Sequence, residues 1–150
     1  MGARSNFYVG GVLIKAPGRY WVNTAQVIQG PTSFTFASVR LPGRDGELEL
    51  PATRRREAAQ WTLSVTVLGS SYADFIANKM ALESVLDPGG IVEIREVMKT
   101  PTGTELGHGL SARGMLVGST MASPWVGPTD GAELSYDFRI PSGAWTPFGY

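Results

Sequence analysis

The clearest order along this chain is a two-residue alternation of apolar and polar side chains. In "GAELSYDFRI", Leu134, Tyr136, Phe138 and Ile140 alternate with Glu133, Ser135, Asp137 and Arg139. In "WTLSVTV", Trp61, Leu63, Val65 and Val67 alternate with Thr62, Ser64 and Thr66. Successive side chains of a strand point to opposite faces, so each segment predicts a strand with one buried and one wet side. Strands of that kind belong to an antiparallel sheet with one face on a core. "NFYVGGVLI", "FTFASVRL", "GIVEIREVM" and "LSARGMLVG" carry the same signal more weakly. Apolar parity changes between Phe36 and Val39, which predicts a bulge near Ala37–Ser38. Turn pairs stand at Pro42-Gly43, Asp45-Gly46, Thr102-Gly103 and Asp130-Gly131.

One segment breaks this rhythm. In "SSYADFIANKMALESVL" the residues Tyr72, Phe75, Ile76, Met80, Leu82 and Leu86 fall on a broad helical arc. Ser70 or Ser71 can accept from the free amides of a first turn, and Asp74 meets the positive end of the helix. "DPGG" stops it, because Pro88 cannot continue a helix. Lys79 and Glu83 stand four apart and can pair on the rim. The fold class that follows is mainly β: an antiparallel sandwich or barrel with one helix lying as a cover across a sheet.

Composition narrows the chemistry. A length of 150 residues reads as a single domain, and 19 Gly with 10 Pro fit many turns and short strands. No segment reaches the roughly 18 apolar residues of a membrane span. The opening stretch has an early Arg4 and an apolar run broken by Gly10 and Gly11, so no signal peptide is expected. Net charge is zero, which gives no global field for nucleic acid or an anionic membrane. The charge is unevenly placed, however: residues 1–60 hold eight Lys/Arg and four Asp/Glu, residues 61–150 five and nine. That split fits head-to-tail stacking of copies, and it equally fits one arginine cluster.

With no cysteine and one histidine, thiolate nucleophiles, disulfides and Cys- or His-based metal clusters drop out. His108, in "LGHGLS", reads as a solvated turn residue near a strand start; no G-x-S-x-G elbow accompanies it. There is no phosphate-binding glycine motif and no Asp-rich calcium loop. No cofactor or metal is expected, and the chain does not read as an enzyme. Two rival readings use particular residues: a carboxylate enzyme on Glu47 or Asp137, and a carbohydrate-binding module stacking sugars on Trp21, Trp125 and Trp145. Glu47 and Glu49 stand beside arginines and look like their salt-bridge partners. The aromatic tail 141–150 needs cover, from its own core or from a neighbouring subunit.

The remaining sharp feature is "LPGRDGELELPATRRREAAQWTLSVTVLG". It resembles the N-terminal part of distal tail proteins and related minor tail proteins of long-tailed phages. Pro42, Gly43, Arg44, Gly46 and Leu48 match that family's turn, Trp61 to Gly69 its alternating strand, and Ser71 to Leu86 its helix. "FYVGGVLI" resembles the family's opening stretch, so the likeness covers roughly residues 7–98. The resemblance implies a virion protein, assembled as a hexameric ring under the tail tube, with other tail proteins above and below. It also implies a central channel through which DNA passes without being read, and an arm that reaches a neighbouring subunit. A tail tube protein of the same superfamily is the alternative. Residues 42–60 are long and charged for a tight hairpin, and long excursions of this kind usually serve a function. They are expected to be the arm, with Arg44, Asp45, Glu47, Arg54, Arg55 and Arg56 meeting an adjacent protomer.

Overall fold

A computed structural model of the chain describes residues 5–24, 34–35, 38–40, 42–43, 45–46, 48–49, 55–121 and 130–149. The strands in chain order are β1 (Ser5–Val9), β2 (Val12–Leu13), β3 (Lys15–Ala16), β4 (Tyr20–Thr24), β5 (Phe34–Thr35), β6 (Ser38–Val39) and β7 (Leu48–Glu49). They continue as β8 (Arg55–Arg56), β9 (Ala59–Gly69), β10 (Val92–Lys99), β11 (Glu105–Met121), β12 (Asp130–Ile140) and β13 (Thr146–Phe148). Helix α1 (Tyr72–Leu86) links β9 to β10. The expected class, antiparallel β with one flanking helix, is the observed one.

A nine-stranded sheet runs in the order β2-β1-β10-β11-β12-β9-β4-β3, with β13 added along β11. Its two ends, β2 and β3, are neighbours in the chain, joined through Ile14 alone. The sheet therefore curls round and nearly closes as a barrel. Ile14 is the seam: its side chain is buried and its N–H donates to Phe7 O at 2.9 Å. Strand β11 serves both halves. Its first part pairs with β10 up to Val92↔Gly114, and its last part pairs with β12 from Met115↔Arg139. The register shifts between Leu116 and Gly118, near the handover from one partner to the other.

The two best-patterned segments do what their alternation dictates. Trp61, Leu63, Val65 and Val67 of β9 are buried, as are Leu134, Tyr136, Phe138 and Ile140 of β12, and the two strands pair along their whole length. Trp61 is the centre of an aromatic cluster. Its ring lies 5.8 Å from Phe7 and 5.4 Å from both Phe138 and Trp145. Trp145 is buried, so the aromatic tail covers its own core; the open choice in the sequence falls that way for this residue. Phe148 lies under the Arg95 guanidinium, 4.3 Å from ring centroid to Cζ.

Helix α1 starts and stops as expected, and Ser71 is the cap. Its Oγ accepts from Asp74 N–H at 3.2 Å, while Asp74 Oδ2 accepts from Ser70 N–H at 2.9 Å. Lys79 and Glu83 pair at 2.7 Å. The apolar arc is corrected in part. Phe75, Leu82 and Leu86 face inward with Asn78, whereas Tyr72 is 69% and Met80 64% exposed. Periodicity gives an arc but not its rotation, and here Asn78 sets the rotation by donating from Nδ2 to Leu68 O at 2.7 Å. Two turn readings also change. Asp130-Gly131 lies inside β12, paired with Gly69 and Leu68, and His108 lies within β11 beneath the C-terminal segment.

The stretch from Phe34 to Arg56 makes its own pairs, apart from the large sheet. β5 pairs with β8 (Phe34↔Arg56, Thr35↔Arg55), and β6 pairs with β7 (Ser38↔Glu49, Val39↔Leu48). Both ladders are antiparallel, so the described residues of the charged excursion pair as a two-part ribbon that starts at Phe34. The bulge expected near Ala37–Ser38 falls on Phe36 and Ala37, which lie outside the described residues.

Candidate assembly surfaces

The expected arm residues divide between described and undescribed positions. Arg44, Glu47 and Arg54 lie outside the described residues. Asp45 is exposed in the turn region, where Gly43 at φ +78° and Gly46 at φ +80° hold left-handed backbone that glycine adopts without steric cost. Arg55 and Arg56 form β8, so backbone pairing with Thr35 and Phe34 fixes their place on the ribbon.

Elsewhere the polar groups are mostly tied to one another. Asp137, a candidate carboxylate, accepts from Thr62 Oγ1 at 2.7 Å across β9 and β12. Glu105 accepts from Asn6 Nδ2 at 2.8 Å and from the Tyr8 hydroxyl. The Tyr8 bond, then the Asn6 bond, hold the Glu105 carboxyl below its usual range. Among the described residues no group of three His, Asp or Glu side chains could hold a metal ion.

The tryptophans proposed as sugar platforms separate as well. Trp145 is in the core and Trp125 lies outside the described residues. Trp21 is 37% exposed, on a cleft of about 220 Å³ at the barrel seam with Lys15, Lys99 and Asn6. Small-molecule sites usually occupy roughly 300–1,000 Å³, so this cleft is shallow for one.

One part-buried polar pair ties the helix to the sheet. Tyr136, on β12, donates to Glu83 Oε1 at 3.1 Å. Burial, then the neighbouring Glu83 charge and that bond, push the Tyr136 phenol well above its ordinary pKa of 10.0. A raised folded pKa stabilises fully below the unfolded value and is lost as pH climbs beyond it. Stability should therefore fall from about pH 10 upward as unfolded tyrosines ionise. Tyr136→Phe is expected to flatten that alkaline limb and to cost about 1 kcal/mol near neutrality through the lost hydrogen bond. Chemical denaturation followed across pH, with tyrosinate absorbance, checks both.

Pattern reading missed two surfaces. The exposed side of α1 presents Tyr72, Ala73, Ala77, Met80, Ala81 and Ser84. Among its exposed residues only Asp74, held at the N-terminus, is charged. The second surface is the end of β11. Beyond Gly114 the edge away from β12 has no strand partner among the described residues, and Val117 and Met121 are 56% and 49% exposed. The signal for the first was in the sequence: the arc Tyr72 to Met80 is broader than one core contact can cover.

The chain matches no protein-family model and no curated protein sequence. Among solved structures it is similar to the crystal structure of the Dit protein (gp 19.1) of SPP1, with a TM-score of 0.64 at 14% identity. The match covers 91% of this chain and 49% of that one, so the chain spans about half the length of its neighbour. That protein is described as a paradigm of the hub adsorption apparatus in phages infecting Gram-positive hosts. The fold to which the Pro42–Leu86 motif pointed, that of a phage distal tail protein, is the fold of this chain.

Proposed function

We propose that this chain is a structural virion protein of a long-tailed phage, forming a ring at the distal end of the tail tube. The carrying observation is the shared architecture with SPP1 Dit across 91% of the chain. The turn, strand and helix of the sequence motif support the same reading. The ring is hexameric, as in the family the sequence resembles, and encloses a channel for DNA with other tail proteins above and below. A closed ring needs two different contact patches on each copy, and the uneven charge of the two chain halves suits such an arrangement. A lumen lined with arginine would hold phosphate, so the ribbon's Arg44 and Arg54–Arg56 face a protein neighbour and not the DNA.

Light scattering on the purified chain, with negative-stain images, is expected to show rings. Stacked tubes would favour the tube protein, and a monomer at every concentration would overturn the reading. Reversing Arg54, Arg55 and Arg56 to glutamate together is expected to weaken assembly at least tenfold while leaving the melting curve unchanged. Full assembly of that variant would remove the ribbon from the interface.

A further inference from the structure

The outer face of α1 is unusual for a helix lying on a protein surface. Such helices normally turn charged residues to water and an apolar stripe to the core. Here Phe75, Asn78, Leu82 and Leu86 serve the core, yet the opposite side offers Ala73, Ala77, Met80 and Ser84. Of the helix charges, Asp74 is held at the N-terminus by Ser70 N–H, and Lys79 and Glu83 are paired on the flank. The same molecule carries a second uncharged, exposed apolar surface. Along β11 from Met115 to Met121 there is no charged side chain, Val117 and Met121 face solvent, and one backbone edge is unpaired among the described residues. Unpaired edges invite uncontrolled strand addition, and proteins blunt them by covering them with a helix.

We infer that the outer face of α1 of one copy docks on the free β11 edge of the next copy. The occupant is a second copy because each molecule supplies both halves of the contact. The halves also agree in length. Ala73 to Ser84 spans about 17 Å of helix at roughly 1.5 Å per residue. Met115 to Met121 spans about 20 Å of strand at roughly 3.3 Å per residue. Neither half places a charge at its centre that would have to be desolvated; Asp74 stands at the end of the helix face, tied to Ser70 N–H. The contact joins unlike patches, so it propagates head to tail and closes only as a ring. This rests on the ring reading and adds to it which surfaces meet, independently of the arginine ribbon.

The test uses the full chain and two single variants, Ala77→Glu and Val117→Glu, with Thr102→Glu in an exposed turn as control. Each patch variant is expected to raise the dissociation constant at least a hundredfold and run as a monomer, with an unchanged melting curve. Mixing the two variants should restore one good contact and stop at dimers. The control should assemble as the parent does. Parent rings that survive both charges would overturn the docking inference and leave the ring reading intact. Monomeric variants that do not dimerise on mixing would overturn the pairing of these two faces. A monomeric parent would overturn both readings.

Discussion

Replacing Trp61 by alanine is expected to remove about 4 kcal/mol of unfolding free energy, toward the upper part of the range for large-to-small core changes. At two to four degrees per kcal/mol for a chain of this size, the midpoint should fall by roughly 10 °C. The magnitude follows from what the indole does. It touches Phe7 of β1, Phe138 of β12 and Trp145 of the C-terminal tail, at centroid distances of 5.8, 5.4 and 5.4 Å. Strands from opposite parts of the barrel thus meet on one side chain, and the tail's plug rests on it. Removing it leaves a cavity and unseats Trp145. The Trp145→Ala variant should therefore lose less on the Trp61→Ala background than alone, because the two rings share one contact. Denaturant melts of the four species give the coupling directly. Equal losses on both backgrounds would show that the tail docks elsewhere.

How far the fold was legible depended on which interaction decided each element. β9 and β12 were readable because each buries one face and wets the other, so burial wrote itself into alternation. β4 was not: Tyr20 and Val22 are only half-buried and Trp21 is exposed, so the strand shows little contrast between faces. Asp130-Gly131 has turn chemistry, yet its pairing with Gly69 and Leu68 decides its conformation, and that partner lies some sixty residues away. The full length of β11 was hidden by its glycines. Gly109 is needed because a Cβ there would stand 2.9 Å from Glu96 C and closer still to Glu96 O. In sequence such a glycine looks like a strand breaker.

The candidate assembly residues were legible to a lesser degree. A run of arginines reads as a solvated turn, and nothing local announces that Arg55 and Arg56 pair with Thr35 and Phe34. The helix face failed for the opposite reason. Tyr72 and Met80 fall on the apolar arc because apolar residues count toward it wherever they stand, while Asn78, which anchors the helix, is polar and does not. Buried polar anchors escape any reading based on hydrophobic period alone. Their pairing partner is a backbone carbonyl, which has no letter in the sequence.

Gly69→Ala is expected to cost about 3 kcal/mol, the upper end for overpacking, against almost nothing for Gly90→Ala. An added Cβ at Gly69 would stand 2.5 Å from Phe75 Cα, 2.8 Å from Asp74 C and closer still to Phe75 N. Those are backbone atoms, so no side chain can swing aside; α1 itself would have to lift from β9. At Gly90 nothing lies within 4 Å, which makes it the matched control. The glycine that closes the alternating strand in the sequence motif thus has a mechanical reason. It lets the helix leave the strand and fold back at once, with Asn78 reaching Leu68 O and Ser71 capping the first turn. Lifting the helix would also displace the outer face carrying Ala77 and Met80. Gly69→Ala should consequently reduce assembly beyond what its loss of folded protein explains, as read by scattering at temperatures where both variants are folded. If assembly followed the folded fraction alone, the helix would be a cover for the core and not a surface that its neighbour uses.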